Sequence, residues 1–165
     1  MTTQISGTTG VSKVQDAVVT QADLGPNVVG NGPAFRVHGS GYQTVTSNAQ
    51  TLVALPATED FDTASALSGF TFTAPVAGYY FLTGLVFGSG STGTNLVEAT
   101  ITANGVYLEG SLAFDNTTYV AAKSNCSSLF YMSAGSTAVL SGRVVGTGTC
   151  TLTSADFSGF LVRAA

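Results

Sequence analysis

The sequence is short of charge. Only 8% of its 165 residues are charged, against a usual figure of about 25%. The five basic residues, Lys13, Arg36, Lys123, Arg143 and Arg163, are scattered, and the net charge is −4. A nucleic-acid partner is excluded on that ground, because phosphate binding needs clustered Lys and Arg. Disorder is excluded too: disordered chains are charged and apolar-poor, and this one is 44% hydrophobic. There is one histidine, His38, so a Ser-His-Asp triad would have to be built around that residue alone. It closes the run Phe35-Arg-Val-His38 and reads as a surface or strand-edge histidine. With two well-separated cysteines, it does not make a zinc site. No run of about 18 apolar residues exists, so membrane insertion is not expected. No apolar stretch follows Met1, so no signal peptide is expected either.

What remains is Thr, Ser, Gly, Ala and Val, with ten Phe and six Tyr. That mixture suits short strands and tight turns and is poor for long helices. The length fits one domain, with enough chain for a core that needs no metal or disulfide framework. Residues 1–33 stand apart, punctuated by glycine and by Pro26 and Pro33. Val11, Val14 and Val18 could form one seam of a short helix, or the segment could be an extended arm. Either form needs a neighbour to pack on. The domain proper is expected over 34–165.

From Ala34 the reading is strands: Ala34–His38, Gln50–Leu55, Gly69–Thr73, Gly78–Phe87, Leu96–Ala103, Val106–Glu109, Tyr119–Ala122, Ser127–Met132, Thr137–Val145 and Phe157–Arg163. Asn104-Gly105 between two β-rich runs predicts a type I′ hairpin, which needs positive φ at both positions. The most specific stretch is Phe70-Thr-Phe-Thr-Ala-Pro-Val-Ala-Gly-Tyr-Tyr-Phe-Leu82, a strand, a tight turn and a buried strand.

Motifs with chemical meaning are few. Gly88-Ser-Gly-Ser-Thr-Gly93 matches a dinucleotide string, but β-branched residues follow it where a helix should open. It reads as a flexible inter-strand loop. Glu59-Asp60-Phe-Asp62 is the densest carboxylate cluster and reads as a solvated loop rather than a glycosidase pair or calcium site. Cys126 and Cys150 are open to two readings: a disulfide, if their strands run antiparallel with both thiols near one end, or two buried free thiols. No catalytic residue, metal ligand or cofactor site is expected.

Phe61-Asp62 and Phe72-Thr-Ala-Pro-Val-Ala-Gly-Tyr-Tyr-Phe81 resemble the signature of the globular head of complement C1q. Ala34-Phe35, Asn104-Gly105, Ser133-Ala-Gly135 with Val139-Leu140, and Phe157-Ser-Gly-Phe-Leu-Val162 agree with it in order. Ser136 departs from an Asp frequent in the family, and no collagen repeat precedes the domain, which speaks against a complement role. The resemblance implies an all-β, ten-stranded antiparallel jelly-roll sandwich of the C1q and tumour necrosis factor type, assembled as a homotrimer. The run from Thr2 to Leu24 resembles the opening of bacteriophage and prophage tail-associated proteins. The function so implied is a non-enzymatic trimeric virion protein, a tail-fibre or receptor-binding knob, made in the host cytoplasm and acting outside it. It would bind other virion proteins through residues 1–33 and a host-surface glycan or protein through its loops. The alternative is a capsid decoration or tail-assembly subunit without receptor activity. Candidate contact residues, chosen for composition and tip position, are Ser89, Ser91, Thr92, Asn95, Asp115 and Asn116, within the loops Gly88–Asn95 and Asp115–Thr118.

Overall fold

A computed structural model describes residues 32–113 and 121–165. The expected arm therefore lies almost wholly outside the described residues, as do Asp115 and Asn116. Eleven strands are present among the described residues, and no helix. In chain order they are β1 Ala34–Val45, β2 Thr51–Leu52, β3 Ala57–Asp62, β4 Leu67–Ser68, β5 Thr71–Thr73, β6 Gly78–Gly90, β7 Gly93–Ala103, β8 Val106–Ala113, β9 Ala121–Met132, β10 Thr137–Thr147 and β11 Cys150–Ala164. They form two antiparallel sheets. One is five-stranded, in the order β3-β1-β11-β6-β9; the other runs β4-β5-β10-β7-β8, with β2 added beside β10. The jelly-roll expectation holds.

The strand count and several boundaries differ from expectation: β4 was not expected, β1 runs on to Val45 rather than His38, β2 is only Thr51–Leu52, β11 begins at Cys150 rather than Phe157, and two further differences have a physical reason. Ala57–Asp62, expected as a solvated carboxylate loop, is the edge strand β3. It is exposed almost throughout, so it carries no alternation of apolar residues by which a strand is recognised. The second difference is a merger. Separate runs were expected at Tyr119–Ala122 and Ser127–Met132; Tyr119 and Val120 lie outside the described residues, and Ala121–Met132 is continuous as β9. Lys123 to Cys126, the residues between those runs, alternate outward and inward like the rest of the strand.

The core lies between the sheets. Phe35 stacks on Phe72 at 4.4 Å and meets Phe157 edge-on at 5.1 Å. Tyr80 is fully buried, and its hydroxyl donates to the Val76 carbonyl at 2.8 Å. That bond removes the cost of burying a phenol. Asn104 (φ 50°) and Gly105 (φ 77°) join β7 to β8, the hairpin the sequence predicted.

The chain comes in at one end of the sandwich. The Pro33 carbonyl accepts from Leu161 N, and Ala165 N donates to the Ala77 carbonyl. At the opposite end Val45 pairs with Cys150, and Cys150 with Gly90. There the chain passes from one sheet to the other through Ser91-Thr92 and through Gly148-Thr149.

Candidate functional site

The outer face of the five-stranded sheet is the candidate site. In β6 the even-numbered residues from Gly78 to Gly90 are buried and the odd ones point outward. Register then sets the rows of that face. Tyr79 lies opposite Tyr131, and Phe81 between Leu129 and Phe160. Thr83 lies between Ser127 and Ser158, Leu85 between Asn125 and Asp156, and Phe87 between Lys123 and Ser154. Five large apolar side chains there are about half exposed: Phe61 47%, Tyr79 43%, Leu129 52%, Tyr131 45% and Phe160 49%. They are already ordered against one another. The Tyr79 and Tyr131 rings meet at 5.4 Å, and Phe81 and Phe160 at 5.8 Å. Phe61, Phe81 and Phe160 wall a cavity of about 250 Å³ that also touches Thr83, Ser158 and Arg36. Contiguous apolar surface of this kind marks an interaction face.

Beside it, on β1, β3 and β11, sits a charged cluster. Arg36 Nη2 donates to Asp156 Oδ2 at 2.8 Å, and Arg36 Nε lies 3.4 Å from Asp60 Oδ2. His38 Nδ1 is 3.2 Å from the same Asp60 oxygen. The hydrogen bond and charge of Asp156, then the charge of Asp60, push the Arg36 guanidinium further above its usual range. The cluster can hold the face in register and carry charge. Among the described residues no three His, Cys, Asp or Glu side chains gather as a metal site.

Of the contact residues expected from sequence, Ser89, Ser91 and Thr92 lie at the other end, away from where the chain enters. Ser89 is half-buried on β6, its hydroxyl 2.8 Å from that of Thr151. Ser91 and Thr92 are exposed. The expected flexible loop over Gly88–Asn95 is corrected to a two-residue crossing, because β6 continues to Gly90 and β7 begins at Gly93. That crossing is tied to its neighbour. Ser91 N donates to the Thr149 carbonyl, Thr149 N to Ser91 Oγ, and Thr92 Oγ1 to Thr147 Oγ1. Asn95 stands on β7, but its side chain lies outside the described residues, as do Asp115 and Asn116. The structure brings Ser89, Ser91 and Thr92 to one end of the sandwich.

Cys126 and Cys150 are buried free thiols, so the disulfide reading is corrected. Their strands flank β6 on opposite sides, with Cys126 paired to Gly84 and Cys150 to Gly90. Six residues of strand separate them by about 20 Å, whereas a disulfide needs Cα atoms within about 7 Å. Burial pushes the Cys126 thiol up to about 11.

Sequence reasoning assigned Tyr79-Tyr-Phe81 to the core and so missed the aromatic face. The signal was present. Successive side chains of a strand point to opposite faces, so a continuous apolar run means that both faces are covered.

No protein-family model and no curated protein matches the sequence. Solved structures do match. The globular domain of zebrafish complement 1qA protein aligns with a TM-score of 0.60 at 18% identity, over 81% of this chain and 99% of that one. Eiger, a tumour necrosis factor from S. frugiperda, gives 0.55 at 13% identity, over 81% and 95%. Vertex protein P5 of phage PRD1 gives 0.57 at 12% identity, over 79% and 97%. These likenesses concern the fold, and with the strand order they establish the described domain as an all-β jelly roll of the C1q and tumour necrosis factor type.

Proposed function

We propose that the protein is a non-enzymatic structural subunit of a virus particle, a phage or prophage tail-fibre or receptor-binding knob, and that it works as a homotrimer. The observation that carries the assembly is the aromatic outer face of the five-stranded sheet, half-exposed in the single chain. A second copy is the partner that fits it. Burying five such side chains would stabilise an assembly by several kcal/mol, at about 25 cal/mol per Å². A chain with so few charges also keeps little surface for remaining a separate monomer. The resemblance of the sequence to the C1q signature implies the same state.

The geometry supports a division of labour. The chain enters the domain at one end, through Pro33 and Ala34, and residues 1–33 would attach to other virion proteins there. The opposite end carries Ser91, Thr92, Thr147 and Thr149 on crossings tied together by hydrogen bonds. A rigid, uncharged, hydroxyl-bearing end suits contact with a host-surface glycan or protein. Three weak sites on one trimer gain avidity without new contacts. The protein would be made in the host cytoplasm and act outside it. Glycan-array binding and host-cell adsorption by the purified protein test this reading. No binding in either assay rejects the receptor role.

A second reading is a decoration or assembly subunit without a receptor. The likeness to a vertex protein favours it. It predicts unchanged adsorption when the protein is deleted from the particle, and immunolabelling away from the tail tip.

A further inference from the structure

The chain's single histidine stands in the charged cluster at the edge of the aromatic face. On its own strand it faces Arg36. From β11, Asp156 lies directly opposite it. From β3, Thr58 lies opposite it and Asp60 reaches its ring. Glu59 pairs with Val37 and is exposed. One strand further, β6 presents Leu85, which is uncharged. Arg36 therefore balances one of two carboxylates. The cluster carries one net negative charge when His38 is neutral and none when the imidazole is protonated.

In the single chain that charge is inexpensive. The four side chains are 31–51% exposed, and water solvates them. Covering the face removes that water. An unbalanced charge is then costly unless it is neutralised.

We propose that self-assembly through this face is proton-linked: covering the Arg36–Asp60–Asp156 cluster with a second copy makes His38 take up a proton, and the assembly tightens as pH falls through the histidine range. The inference rests on the self-association reading above. The sign follows from the charge balance. The assembled state favours the imidazolium, so this contribution is complete where the imidazole is charged before association. It fades as rising pH makes the proton harder to acquire. The window is roughly pH 5 to 8.

Sedimentation equilibrium of the full chain between pH 5.5 and pH 8 tests the proposal, with His38→Asn and Asp60→Asn alongside. The wild-type chain should associate more tightly at pH 5.5, by up to about tenfold per linked proton for each pH unit crossed in that window. His38→Asn should lose the pH dependence. Asp60→Asn leaves the neutral Arg36–Asp156 pair, so it should associate more tightly than wild type at pH 8 despite losing an ion pair. A trimer with the same affinity at both pH values, or a pH dependence that survives His38→Asn, overturns the proton linkage and leaves the assembly standing. A chain that stays monomeric at every pH overturns both.

Discussion

Gly110 shows how a single residue holds the two sheets at one distance. A Cβ placed there would collide with the Asn125 carbonyl oxygen, on the opposing sheet. Next to it the buried Ser124 hydroxyl donates to the Gly110 carbonyl and accepts from Ala99 N, so one side chain stitches β7, β8 and β9. Gly110→Ala should cost about 3 kcal/mol or more, because the obstacle is backbone rather than a side chain that can turn away. Urea unfolding checks it, and an unchanged midpoint contradicts this packing. Cys126 gives a pH signature. Its folded-state value of about 11 lies above the ordinary thiol value of 9.0, because burial penalises the thiolate. Its contribution is therefore complete below pH 9 and lost as pH rises toward 11. Burial raises Tyr80 in the same direction. Unfolding midpoints should fall between those pH values, and neither thiol should react with a thiol reagent at neutral pH until the protein is denatured. A pH-independent midpoint, or a rapid thiol reaction in the native state, would count against the buried placement. Neither Gly110 nor Ser124 was legible in the sequence, since nothing local distinguishes a glycine facing a backbone from one in a turn.

Among the elements, β6 was the most legible and β3 the least. Gly78 to Phe87 announces itself by aromatics and β-branched residues after a Pro and Gly, and the Asn104-Gly105 turn by its demand for positive φ. β3 is an edge strand whose side chains face solvent on most positions, so composition made it look like a loop. Its end is set by Asp62, whose carboxylate accepts from Ala64, Ala66 and Leu67 N and so closes the turn into β4. Asp62→Ala should cost roughly 1–3 kcal/mol, because those donors lose a charged acceptor. It should also raise hydrogen exchange at Ala66 and Leu67 before other strands respond. Unaltered exchange at those amides would show that the carboxylate does not hold the turn. The crossing at Ser91-Thr92 was misread for a related reason. A glycine-serine run looks flexible in sequence, but its bonds go to Thr147 and Thr149, more than fifty residues away. Asp115 and Asn116 lie outside the described residues, and Ser89 is half-buried, so Ser91 and Thr92 are the tip positions to test.

At the scale of the whole molecule, two faces of one sheet differ in character. The inner face of β6 builds the core, and the outer face leaves aromatics half exposed, the surface proposed for self-assembly. Low charge is the sequence feature behind the expectation of assembly. The aromatic surface proposed for it was not legible, because it emerges only when β3, β1, β11, β6 and β9 lie side by side. Replacing Tyr79 and Phe160 with serine removes half-exposed rings and no core contact, so the fold should survive while assembly fails. Circular dichroism should stay native as the mass falls. Retained assembly in that variant would move the interface elsewhere. The most direct test of the central claim is the mass of the unmodified chain by multi-angle light scattering near neutral pH. Three times the 16.7 kDa chain mass is the predicted result, and a single-chain mass at all accessible concentrations would contradict the account.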